Sequence, residues 1–235
     1  MLKNILKIFG IFILGILGGI YGSQILEPYL FEQFFFYKYG LPSPPVYINK
    51  TEKIIIQENV ALKNAIERVE KAVIGVKTVT KKGKALEGAG LILTSDGLAV
   101  TLADLVPKGG DFDFYFGEEK LKYQILKRDL KENLALIELL EEKSLPTTSF
   151  GNFEKLKLGE RVFLIGVIGE TRKFTNEGIV KYFEENLIET NIFEKKAAGS
   201  CLFDIEGNVL GLNYVNKEGE VRAIPVTNLR KFANL

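Results

Sequence analysis

Histidine is absent from the 235-residue sequence, and cysteine occurs only once. Without an imidazole, the chain has no histidine general base and cannot build a zinc site of the Cys/His kind. A single cysteine excludes an internal disulfide. The 31 basic and 30 acidic side chains nearly cancel, so no excess positive charge indicates a nucleic-acid partner. We expect neither a cofactor nor a metal.

Charge is also absent from the nineteen residues 8–26, a run long enough to cross a bilayer as a helix. Lys3 and Lys7 precede it, and positive residues favour the cytoplasmic side. The sequence therefore predicts a single-pass anchor with a cytoplasmic N-terminus and the bulk of the chain outside the cytoplasm. Gly15 and Gly19, four apart, could line a close contact between membrane helices, although glycines are common in such helices anyway. A cleaved signal peptide is the competing interpretation.

The next segment, residues 28–58, has the composition of a tether. It contains an aromatic cluster at 31–39, where rings favour the membrane interface, followed by prolines that impose an extended conformation. Packing of these rings on the globular part is the alternative. Helical spacing of apolar residues then predicts a short helix at about 59–71. We expect four parts, with boundaries at 1–27, 28–58, 59–142 and 143–235.

From residue 72 the sequence consists of short strand-like runs separated by Gly- and Asn-containing turns. An example is the turn Ser95-Asp96-Gly97 between two apolar runs. Many short strands at this spacing indicate an all-β barrel or sandwich, with a short helix at 228–235.

Several segments of this region, taken in order, resemble trypsin-like serine peptidases of the HtrA (Deg) type. Residues 88–101 are similar to the family's first hairpin, and Asp129–Leu136 to its Asp-x-x-x-Asp-Ile-Ala-Leu block. Three shorter matches follow at 158–166, 178–180 and 223–225. The resemblance covers about residues 70–231. It implies two packed six-stranded β-barrels with a cleft between them, and no counterpart of the family's PDZ module.

The resemblance also assigns positions to the catalytic triad. Asp104 stands where the family has its histidine, Asn133 where it has the orienting aspartate, and Ala198 where it has the nucleophilic serine. The turn that supplies the family's oxyanion hole corresponds to Lys196 and Ala197, with Lys196 in place of a flexible glycine. Ser200 aligns with a glycine two residues after the nucleophile. The resemblance therefore implies a peptidase fold with all three catalytic positions substituted.

Other nucleophiles remain as alternatives. A Ser–Lys dyad built on Ser200 or Ser149 needs no histidine, although no spacing singles out a lysine. Cys201 lacks a histidine partner and stands where a strand should begin, which favours a core role. The acidic residues 111–119 favour a solvated hairpin end over a cation site.

The sequence-based hypothesis is a membrane-anchored, extracytoplasmic pseudopeptidase that binds polypeptide or modulates a partner without cleaving it. Its expected partners are the lipid bilayer and either an extended or unfolded polypeptide or an active peptidase relative, and an oligomer is compatible with the sequence. Two alternatives stay open, an active serine endopeptidase with a non-standard site and a structural protein of the cell envelope.

Overall fold

A computed structural model describes residues 2–22, 24, 58–140 and 144–235 of the chain. The chain divides into two compact units, Met1–Ile54 and Ile55–Leu235. In the first unit, helix α1 (Leu2–Tyr21) contains most of the predicted span 8–26. The rest of that span lies beyond the helix, partly outside the described ranges, as does the predicted tether up to residue 57. Within the described ranges, no helix combines the length and apolar character needed to cross a membrane.

The second unit begins with helix α2 (Glu58–Val69), which continues as a single 3-10 turn at Glu70–Ala72. Ala65 and Val69, four residues apart and thus on one face, are buried. The apolar spacing predicts this helix to within two residues. Helix α3 (Val226–Ala233) ends the unit, two residues earlier than the sequence predicts.

The first half of the β structure contains seven strands: β1 (Val73–Val79), β2 (Ala85–Ile92), β3 (Leu98–Leu102), β4 (Asp111–Phe116), β5 (Glu119–Leu121), β6 (Tyr123–Asp129) and β7 (Leu134–Leu139). They form one antiparallel sheet in the order β5-β4-β1-β2-β3-β7-β6. The hairpin between β2 and β3 turns at Gly97, whose φ of 111° favours glycine.

The prediction of a closed six-stranded barrel is wrong for this half. Only Lys122 separates β5 from β6, which is too short a connection for a hairpin. Side chains close the gap between β4 and β6 instead. The Tyr123 hydroxyl donates to the Phe112 carbonyl at 3.0 Å, and the Tyr123 ring meets Phe114 edge-on at 4.7 Å. The first half is therefore a curled sheet with a side-chain closure.

The second half contains six strands: β8 (Arg161–Ile168), β9 (Arg172–Glu184), β10 (Leu187–Phe193), β11 (Cys201–Asp204), β12 (Val209–Val215) and β13 (Glu220–Pro225). They form a closed six-stranded barrel, as predicted, in the order β10-β13-β12-β11-β8-β9. Both halves together confirm the all-β, double-barrel class.

Two buried clusters form the core, and strand β11 contributes to both. Cys201 and Phe203 belong to the cluster that includes the first sheet, whereas Leu202 belongs to the cluster inside the second barrel. This division follows from the alternation of side chains along a strand. Because β11 packs against both halves, the residues just before it lie at the junction between them.

Candidate functional site

Two of the residues that the resemblance places at triad positions, Asp104 and Asn133, lie side by side. Asp104 is on a 3-10 turn (Ala103–Leu105) directly after β3, and Asn133 directly precedes β7. Strands β3 and β7 pair with Leu102 opposite Leu134, which brings the two polar residues together. The Asn133 amide donates to Asp104 Oδ2 at 3.0 Å, and Asn133 Oδ1 accepts from the Asp104 backbone N–H at 3.0 Å.

These two hydrogen bonds hold the Asn133 side chain against both the carboxylate and the backbone of Asp104. In a triad, a carboxylate holds an imidazole that takes a proton from the nucleophile. Here a carboxylate lies at the position that the resemblance assigns to the imidazole. Its partner is an amide, which neither accepts nor releases a proton near neutral pH. The pair can fix the local backbone, but it does not reproduce the proton relay.

The third triad-equivalent residue, Ala198, lies in the 194–200 turn, which connects β10 to β11. The turn includes Gly199, with φ of 72°. The Ala198 carbonyl accepts from the Ala89 N–H of β2 at 3.1 Å. A Cβ placed on Gly88 would lie 2.5 Å from both the Ala198 oxygen and a Leu105 methyl group. The turn therefore packs against β2 and against Leu105, the residue that follows Asp104 in the sequence.

The oxyanion-turn equivalents differ from an open anion site. The Lys196 backbone N–H donates to Glu194 Oε1 at 3.1 Å, and the Ala197 N–H donates to the Glu194 carbonyl at 3.1 Å. Ala197 is fully buried. An oxyanion hole requires N–H groups directed at the position of the developing charge. The Lys196 N–H already donates to the Glu194 carboxylate instead.

Ser200 is fully buried, and its Oγ accepts a hydrogen bond from the Asn213 amide at 2.8 Å. Ser149, the other candidate for a Ser–Lys dyad, is exposed beside a groove of about 280 Å³. Among the described residues that line this groove, the basic side chain is Arg68, and no lysine takes part. Among the described residues, no hydrogen bond joins a lysine to Ser200 or Ser149.

Cys201 is fully buried in the core, with its Sγ 3.9 Å from the Gly90 carbonyl. Burial raises the pKa of this thiol far above its ordinary value. Because the thiolate is the nucleophilic form, the residue is chemically inert in the folded protein. Its role is packing between the two halves.

The remaining predicted residues take no part in this site. Gly15 and Gly19 lie on α1, where an added Cβ would meet no atom within 4 Å. Asp113, one of the acidic residues of the first sheet, forms an ion pair with Lys120 at 2.6 Å. Across the described ranges, no three acidic, histidine or cysteine side chains converge in a way that could hold a metal ion.

Two residues of the site escape sequence reasoning. Glu194 is two positions before the backbone donor that its carboxylate binds, and nothing in its composition distinguishes it from a solvated surface residue. Asn213 is fully buried, and its Oδ1 has no hydrogen-bond partner among the residues that the structure describes. A polar residue inside the apolar run of β12 was the available signal for Asn213, since buried amides require partners.

Comparison with known proteins agrees with this architecture. The family description "Trypsin-like peptidase domain" matches residues 88–212, more than half of the chain. A probable periplasmic serine endoprotease DegP-like of Pseudomonas putida is 29% identical over 54% of this chain and 28% of its own length. Serine protease HTRA1 of Xenopus laevis is 25% identical over 72% of this chain and 41% of its own length. The chain thus spans less than half the length of these relatives.

A solved structure described as an HtrA-type protease AlgW with tripeptide superimposes with a TM-score of 0.66 at 20% identity. The match covers 74% of this chain and 62% of that one. At this identity the similarity concerns the fold, which is the trypsin-like double barrel. The chain therefore belongs to the trypsin-like peptidase family, and the relatives that it resembles within that family are of the HtrA type.

Proposed function

We propose that this protein is a membrane-anchored, extracytoplasmic pseudopeptidase that binds polypeptide without cleaving it. The observation that carries the proposal is the hydrogen-bonded pair of Asp104 and Asn133, which the resemblance places at two triad positions, with Ala198 at the third. Acyl transfer by the family mechanism needs a hydroxyl, an imidazole and an orienting carboxylate. A methyl group, a carboxylate and an amide supply none of these in its required role. In a peptidase of unrelated fold that uses the same triad mechanism, loss of the serine or histidine alone lowers turnover about a millionfold.

The 194–200 turn supports the same conclusion. The small residual rate of triad-less peptidases comes from oxyanion donors and substrate binding. Because the Glu194 carboxylate accepts from the Lys196 N–H, a substrate oxyanion would have to displace a like-charged group. The Lys196 N–H therefore forms a hydrogen bond within the turn rather than being free to stabilise a tetrahedral intermediate.

Strand β12 offers a place for an extended polypeptide. Strand β11 pairs with β12 only as far as Leu212, and the backbone of the 194–200 turn bonds to Asn213. Beyond that point Tyr214 and Val215 pair with β13, and the described residues provide no partner on their other edge. An unpaired edge next to a cleft can accept a peptide by strand addition. The similar AlgW structure is described as being with a tripeptide, which supports a peptide ligand.

The sequence supports anchoring, and the names of the relatives support a location outside the cytoplasm. The uncharged run 8–26 follows Lys3 and Lys7, and the DegP-like relatives are named as periplasmic. An anchored domain without peptidase chemistry could present a polypeptide to an active relative, which would make that relative its partner.

Labelling and crosslinking on the same purified protein test the proposal. We expect no labelling by a fluorophosphonate and no cleavage of unfolded casein, with wild type and Ser200→Ala indistinguishable. A photo-crosslinking benzoylphenylalanine at Tyr214 should capture unfolded casein, whereas the same group at Tyr182, on β9, should not. Labelling or cleavage that disappears in Ser200→Ala would show an active endopeptidase with a non-standard site. Equal capture at Tyr214 and Tyr182 would contradict binding at the β12 edge.

A further inference from the structure

Four lysines lie together at one end of the first sheet, on two neighbouring turns. Lys81, Lys82 and Lys84 belong to the turn between β1 and β2, and Lys108 belongs to the turn before β4; we call these four residues the lysine cap. All four are exposed. The first turn closes through the Thr80 N–H, which donates to the Lys84 carbonyl at 2.9 Å.

The two turns form one continuous surface. Val79 at the end of β1 pairs with Asp111 at the start of β4, so both turns leave the sheet at the same end. A Cβ placed on Gly109 would lie 1.9 Å from Lys81 Cε. The aliphatic stem of Lys81 therefore lies directly on the backbone of the second turn. Gly109 leaves room for it and has φ of 73°.

The charges of the lysine cap are not balanced by ion pairs. Some other basic side chains of the second unit have acidic partners, as in Lys77–Glu170 at 2.7 Å and Arg161–Glu177 at 2.9 Å. None of the ion pairs that the described residues form includes a residue of the lysine cap. One carboxylate, that of Asp111, is adjacent in sequence to the second turn. The result is a local excess of positive charge on a chain whose net charge is +1.

We propose that the lysine cap binds the anionic headgroups of the membrane to which the chain is anchored. Lysines on long stems suit a diffuse anionic surface, because each ammonium can adjust to a different headgroup. Val79 beside them is 45% exposed and can enter the interface. The lysine cap contains neither arginine for bidentate phosphate binding nor an exposed ring on which a base could stack. These features favour a lipid surface over a nucleic acid.

The inference rests on the anchoring in the proposed function, and the experiment separates the two. The full chain is reconstituted with vesicles of phosphatidylcholine alone or with added phosphatidylglycerol. Co-flotation with the neutral vesicles tests the anchor. Contact of the lysine cap is then read from an environment-sensitive dye at Ala85→Cys, next to Lys84, with spin-labelled lipid as the quencher. The native Cys201 is fully buried and stays unlabelled.

Two variants with the same change in net charge are compared. One replaces the lysine cap by glutamine, and the control replaces Lys155, Lys157, Lys181 and Lys217, which are exposed on the second barrel. Phosphatidylglycerol should raise dye–lipid contact for wild type and control but not for the lysine-cap variant, a difference of about tenfold or more. Salt should weaken the contact, since the screening length is only about 10 Å at 0.1 M.

The outcomes are distinguishable. Equal contact in neutral and anionic bilayers, or equal behaviour of the two variants, would overturn the lipid proposal. Tighter binding of single-stranded DNA than of anionic vesicles by the wild type would assign the surface to nucleic acid instead. If the chain does not float with neutral vesicles, the anchor fails. In that case, the lipid proposal for the lysine cap would still be supported if wild type and control float with anionic vesicles and the lysine-cap variant does not.

Discussion

Asn133 adopts a left-handed backbone conformation, with φ of 52°, a conformation that asparagine tolerates better than most residues. This geometry lets one side chain both accept from the Asp104 N–H and donate to the Asp104 carboxylate. The residue therefore has a structural reason to be asparagine that is independent of any chemistry. At this position, the side chain connects the ends of β3 and β7.

Exchanging the carboxylate and the amide between Asp104 and Asn133 tests whether their direct hydrogen bond stabilises the fold. Asn133→Asp places two carboxylates face to face and should cost about 1 kcal/mol of unfolding free energy at neutral pH. Adding Asp104→Asn restores one amide and one carboxylate and should recover most of the stability. Denaturant unfolding of the wild type, both single variants and the double variant measures the coupling, and additive losses would contradict a direct pair.

The single cysteine gives a second prediction at this scale. Because burial raises the pKa of the Cys201 thiol and shields its Sγ, a maleimide should not react with the native protein at neutral pH. After unfolding in guanidinium the reaction should be complete. Mass spectrometry of the two samples reports the difference directly. Labelling of the native protein at the rate of the unfolded one would show that the junction between the two halves opens.

Among the elements, the 194–200 turn connects the two halves most closely. Its Gly199 has a φ of 72°, and a Cβ there would lie 2.1 Å from the Ala89 carbonyl of β2. The Gly199 N–H also donates to the Asn213 carbonyl at 2.8 Å. The turn is therefore held by both halves at once, so its conformation depends on the packing between them.

Two glycine substitutions separate backbone strain from packing in this turn. Gly159 has a φ of 78°, close to that of Gly199, but a Cβ there would meet no atom within 4 Å. Gly159→Ala should cost only the strain of the left-handed conformation, about 1–2 kcal/mol. Gly199→Ala adds a backbone clash, and overpacking costs about 1–3 kcal/mol more. Thermal unfolding of both variants tests this, and equal losses would mean that the turn does not press against β2.

The sequence predicts most of the elements, because turn chemistry and apolar runs mark them. The hairpin at Gly97 and the six strands of the second barrel follow from these local signals. Strand β5 does not, since it is three residues long and polar at two of them. Strand β9 begins at Arg172, and its polar first half resembles a loop in the sequence, outside the family match at 178–180. Its strand conformation comes from pairing with β8, which is a tertiary effect.

The candidate site divides in the same way. Motif order predicts Asp104, Asn133 and Ala198 as the triad positions, and this assignment stays a prediction. The hydrogen bonds that they make cannot be predicted in this way, because these depend on rotamers and on the curvature of the turns. The Glu194 contact with Lys196 is of this kind, as a glutamate two residues before a donor has many other conformations open to it.

For the whole molecule, the apolar N-terminal segment and the β domain have different roles. The charge asymmetry around residues 8–26 predicts that the domain lies outside the cytoplasm. A reporter that is active only outside the cytoplasm, fused after Leu235, should therefore give signal in cells. Moving the positive charge, by Lys3→Gln and Lys7→Gln with lysines added after residue 27, should reduce it. Activity of a cytoplasm-only reporter on the unaltered chain would reverse the orientation.

The division of the chain into Met1–Ile54 and Ile55–Leu235 leads to the last prediction. Both buried clusters consist entirely of residues after position 64, and β11 connects them, so the described core needs nothing from α1. A chain beginning at about Glu52 should thus be soluble and rich in β structure by circular dichroism. It should unfold in one transition, because the two halves share a buried interface. A second truncation beginning at Val73 removes α2 and with it Ala65 and Val69 from the core, and should be less stable by about 2 kcal/mol or more. Two separate transitions in the longer fragment would contradict a shared core, and insolubility of both fragments would show that the domain boundary is misplaced.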